Sequence, residues 1–152
     1  MKRLICVVFA FVMCLGMAAC NKVDINELKK IEGPMLEVER VPQEAMTEEE
    51  FKKYNTITTI TYEGQISIPG NPVNMEKLDI KDEDYLSVYN FCTNAVKTDK
   101  FKNYKEDVDD GDIYIFTFFD ENGTAHKFYE GYIYNNKDLK ELTDIISGYS
   151  ID

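Results

Sequence analysis

The chain has 152 residues, with 28 acidic against 17 basic side chains and a formal net charge of −11. That acidic excess excludes nucleic acid as a partner, because holding a phosphate backbone calls for a basic face. It also gives no electrostatic pull toward anionic lipid.

In chain order, the first signal is a leader. Lys2 and Arg3 precede an apolar run over residues 4–17, and the small Ala18 and Ala19 follow it, as in a secretory signal. The run is shorter than the about 20 residues that a spanning helix needs. Cys20 stands directly after the two alanines. This ending resembles the lipobox of bacterial lipoproteins, with Met17 where that family prefers leucine. The resemblance implies cleavage before Cys20 and a diacylglyceryl group on its sulfur. Two acyl chains, at roughly 0.8 kcal/mol per buried methylene, suffice for stable attachment. The expectation is therefore a signal peptide over 1–19 and a lipid anchor at Cys20, holding the protein on a cell membrane, outside the cytoplasm. Removing the leader takes away two bases and no acid, so the acidic excess grows. Cys6 and Cys14 leave with it, and Cys92 is the one thiol left, so no intrachain disulfide can form.

Residues 20–46 are charged and poor in aromatics, and Gly33, Pro34 and Pro42 break any long helix. They read as the lipidated cysteine and a flexible tether with an end-to-end distance of roughly 25–30 Å. The competing reading uses Met35, Leu36, Val38 and Val41, which are apolar and partly alternating and suit a strand or arm laid on the domain. The sequence leaves both open.

A single globular domain is expected over 47–152. Thr47 with Glu50 forms a capping-box pattern that opens a short helix to Tyr54. Two β-rich runs, 56–62 and 65–68, flank Glu63-Gly64 as a hairpin turn, and the Pro-Gly-Asn-Pro run at 69–72 ends the second. Over 82–97, Tyr85, Val88, Tyr89, Cys92 and Val96 recur at helical spacing, with acids at the start and Lys97 at the end, which suits the helix dipole. Then 112–119, DIYIFTFF, reads as a strand, the DENG at 120–123 as a turn, 124–130 as the returning strand and 131–134 as a brief third. Asp138 is expected to cap a last helix carrying Leu139, Leu142, Ile145 and Ile146, with Gly148 beyond it. The expected fold is α+β: an antiparallel sheet of about four to five strands with helices on one face, in the order ββ-α-βββ-α. The pattern resembles small extracytoplasmic α+β domains of uncharacterised bacterial lipoproteins, a likeness from which no site residue follows.

Chemistry is sparse. His126 is the single histidine, and with Cys92 it makes a formal nucleophile pair. Yet Cys92 falls in the middle of an apolar helical stripe, where cysteine acts as a small hydrophobe. No C-x-x-C or H-x-x-x-H spacing supplies a zinc site. The DVDDGD run at 107–112 invites calcium, but aligning Gly111 with the turn glycine of an EF-hand loop leaves Val108 and Thr117 at ligand positions. It reads as a solvated acidic turn. Phosphate loops and the G-x-S-x-G elbow are absent. Neither metal nor cofactor is expected, and enzyme is the minority reading.

The remaining feature is aromatic. Tyr114, Phe116 and Phe118 share one side of their strand and Ile113, Ile115 and Phe119 the other, while Tyr132 and Tyr134 again share a side. If helices take the aliphatic side, then Tyr114, Phe116, Tyr132 and Tyr134 form a candidate surface for a protein or glycan partner. The functional expectation is a membrane-anchored binding or accessory domain. The alternatives are an extracytoplasmic sensor or inhibitor of a neighbouring protein, and an enzyme of unrecognised type.

Overall fold

A computed structural model describes residues 23–44, 46–68, 77–108 and 111–149. The leader, Cys20, the Pro-Gly-Asn-Pro run at 69–72 and Asp109 and Asp110 of the acidic run lie outside the described residues.

The expected sheet of four to five strands in the order ββ-α-βββ-α is overturned. Six strands form one antiparallel sheet, accompanied by four helices among the described residues. In chain order the elements are α1 (Ile25–Leu28), β1 (Pro34–Pro42), α2 (Glu48–Tyr54), β2 (Thr56–Thr61), β3 (Gln65–Ser67), β4 (Leu78–Asp79), α3 (Asp82–Lys97), β5 (Asp112–Phe119), β6 (Ala125–Gly131) and α4 (Lys137–Ser147). The short strand expected over 131–134 does not form separately, because β6 ends at Gly131. β1, left open between tether and strand by the sequence, and the unexpected β4 complete the sheet.

The larger correction concerns β1. Residues 34–42 are not tether: the sheet order is β4-β3-β2-β1-β5-β6, so β1 is an interior strand paired with β2 on one side and β5 on the other. Its prolines sit at the two ends, where a missing N–H costs the ladder least. Its register places Leu36 between Ile60 and Phe118, and aligns Val38 with Phe116. These residues are buried together with Ile66, Tyr85, Val88 and Tyr89. Each such burial contributes about 1.5–3 kcal/mol. Glu37 and Glu39, at the alternate positions, share the other face with Thr59, Thr117 and Ile115.

Because all neighbours are antiparallel, β4 and β5 run in the same direction and stand four strand spacings apart, about 19 Å. A helix has to carry the chain back over the sheet between them. α3 has 16 residues, about 24 Å of helix, and its stripe of Tyr85, Val88, Tyr89, Cys92 and Ala95 is buried against the sheet. The ring of Tyr89 meets Phe118 edge-on at 6.2 Å. α4 lies antiparallel to α3: Lys100 pairs with Asp138 at one end (2.7 Å), and at the other the Tyr149 hydroxyl donates to Asp84 (2.6 Å). Asn136, rather than the expected Asp138, caps α4, accepting from the N–H groups of Asp138 and Leu139. The capping box at Thr47 and Glu50 is formed.

α1 is packed as well. Leu28 is buried, and Lys29 reaches Asp82 at 2.6 Å while lying 5.6 Å from the Tyr85 ring centroid. The end of its side chain also lies against Gly64, whose positive φ of 83° suits glycine in the turn that closes the β2–β3 hairpin.

A fragment starting at Thr47 therefore lacks an interior strand. It is expected to give a poorly dispersed amide spectrum and no cooperative melt. In the full chain Leu36→Ala should cost about 2–5 kcal/mol in denaturant unfolding. A folded Thr47 fragment would show that β1 is dispensable.

Candidate functional site

The four aromatic residues expected to form a binding surface are not brought together on one exposed face. Phe116 is 0% exposed, tilted against Phe128 and Tyr129 with centroids 5.7 and 6.1 Å away. Tyr114 is half-buried and stacks on Phe116. Tyr132 is half-buried, and its carbonyl accepts the Tyr129 hydroxyl. Tyr134 is 67% exposed. The helices cover the side with Phe116 and Phe118, so the premise that they take the Ile113 and Ile115 side is reversed. The physical reason is register. Leu36 and Val38 of β1 align with Phe118 and Phe116, and burying that row leaves Glu37 and Glu39 in the face opposite the helices.

What the fold builds instead is a cleft of about 770 Å³ beside β6. One wall is the run of residues 126–132. Facing it is the turn after α3, with Phe101, Tyr104 and Lys105. The floor is aromatic: Phe101 lies 5.9 Å from Tyr129 and 6.3 Å from Tyr104, with Phe128 also in contact. A β-bulge at Phe128, between the Phe116–Tyr129 and Thr117–Lys127 pairs, turns both Phe128 and Tyr129 toward this cluster.

The turn is tied down by Glu106. Its Oε2 accepts from the N–H groups of Tyr134 (2.7 Å) and Asn135 (2.8 Å), and its Oε1 from Asn136 N–H (3.0 Å) and the Tyr104 hydroxyl (2.8 Å). Burial by itself would raise the Glu106 pKa, but the bonds from Tyr104 and these N–H groups outweigh it and hold the carboxyl below its usual range. Sequence reading gave Glu106 no such part, because the backbone N–H groups that it grips lie 28 to 30 residues away.

His126 closes the cleft's other end, with Nε2 3.0 Å from Asp120 Oδ2. Chiefly through His126, then through the N–H groups of Thr124 and Asn122, Asp120 is held below the ordinary carboxylate range. Cys92 is fully buried in α3, and desolvation pushes its thiol far above the ordinary value, so it has little thiolate with which to act as a nucleophile.

No protein family, curated protein or solved structure matches this chain.

Two outcomes follow. Glu106→Gln should lower stability at pH 7 by roughly 1–3 kcal/mol, since it breaks charge-assisted bonds. The Glu106 pKa is depressed in the folded state, so its contribution is present above the unfolded value of about 4.3 and is lost as pH falls through the folded value. Melts of wild type and variant should therefore converge in acid, and a gap independent of pH would assign the loss to shape alone. Cys92 should react with a thiol reagent only after denaturant is added, followed by mass spectrometry of its peptide.

Proposed function

We propose that the protein is a lipid-anchored extracytoplasmic lipoprotein whose domain binds a partner through the cleft beside β6. The anchoring part is supported by the leader pattern and Cys20. The binding part is carried by one observation: a cleft of about 770 Å³ with an aromatic floor and with charged side chains of both signs on its walls, within the 300–1,000 Å³ range of ligand sites. Its acid–base groups are engaged in structure. Glu106 accepts four hydrogen bonds, and His126 is held by Asp120. That favours binding over hydrolysis, in which such a carboxylate would need a raised pKa to serve as the acid.

The packed α1 changes the geometry of the anchor. Asp24 caps α1, so only residues 21–23 separate it from Cys20. Four Cα–Cα steps span at most about 14 Å. The domain then rides against the lipid headgroups instead of standing 25–30 Å away.

Metabolic labelling with a fatty acid tests the anchor. Wild type should incorporate label and fractionate with membrane, and Cys20→Ala should do neither. Label retained on Cys20→Ala would place the anchor elsewhere and end this reading.

A further inference from the structure

β6 is an edge strand with seven residues, whereas the opposite edge, β4, has two. β5 pairs with one side of β6. Among the described residues, no backbone or side-chain group hydrogen-bonds to the main chain of its other side. Residues 126–132, which take in most of β6, all border the cleft, together with the turn after α3.

We propose that this edge takes an extended peptide segment of a partner protein, which adds as a strand beside β6 and places its inward side chains on the aromatic floor. The inference deepens the binding reading above and stands without the lipid anchor. Polypeptide is the chemistry that fits, because outward N–H and C=O groups at strand spacing are matched by another backbone. A glycan could use the rings but has no such repeat of donors and acceptors. The bulge at Phe128 and the ion pair of Lys127 with Glu130 guard the edge against indiscriminate pairing. The segment that the site accepts is short, bounded by the about 23 Å that β6 spans.

The test uses the full chain in detergent micelles, panned against a random heptapeptide library displayed on phage. An enriched peptide is resynthesised in two series, N-methylated at odd or at even positions. One series should lose at least tenfold in affinity and the other little, because alternate N–H groups of a strand face the same neighbour. Bound peptide should protect amides within 126–131 from hydrogen exchange, and Tyr132→Ala should weaken binding severalfold. The proposal is overturned if no peptide is enriched, if both series bind alike, or if those outer amides are already protected in the free chain. A dimer that the peptide disperses would assign the edge to a second copy instead, and glycan binding without peptide binding would assign the cleft to sugar. Because fatty-acid labelling reads Cys20 alone, failure here and failure of the anchor are distinguishable.

Discussion

The alternation of β1, Leu36 and Val38 against Glu37 and Glu39, is the constraint on which the rest depends. β5 is apolar on both sides and by itself has no preferred inner face. Paired to β1, it does. A strand carrying two carboxylates at alternate positions cannot turn that side into a dry core without the cost of desolvating them, which reaches several kcal/mol per ion. Register then assigns Phe116 and Phe118 to the core and Ile113 and Ile115 to the opposite side. A slip of one residue in the pairing would turn every side chain of the slipped strand to the other face.

From that choice the helical layer and the cleft follow. The covered face receives α3, which spans from the β4 edge back to β5 and stacks its aromatic and aliphatic stripe on Leu36, Val38 and Phe118. α4 is drawn alongside by Tyr149 and Lys100 at its two ends. Between α3 and β5 the chain must turn at the far side of the sheet. There Phe101 and Tyr104 pack on Tyr129 and Phe128, and Glu106 is gripped by the approach to α4. The cleft is the space left between this pinned turn and an edge strand, β6, whose outer side nothing pairs among the described residues.

The anchor and the cleft pose different physical problems. A lipid anchor at Cys20 with only residues 21–23 before a packed helix would restrict the domain's orientation as well as its height. An acidic domain so close to a membrane is repelled by anionic headgroups over about a Debye length. Under the proposed anchoring, the lipid chains have to supply the attachment.

By itself the sequence determined what depends on neighbours a few residues apart. The capping box of Thr47 and Glu50, the stripe of α3, the turn between β5 and β6, and the burial of Cys92 were legible for that reason. Tertiary structure decided what depends on distant partners. The nine residues of β1 pair with strands up to 82 positions away, as Leu36 does with Phe118, and read locally they were as good a tether as a strand. The inner face of β5, the cleft and the grip on Glu106 all required that pairing, because a strand's face and an edge's freedom are properties of the sheet around it.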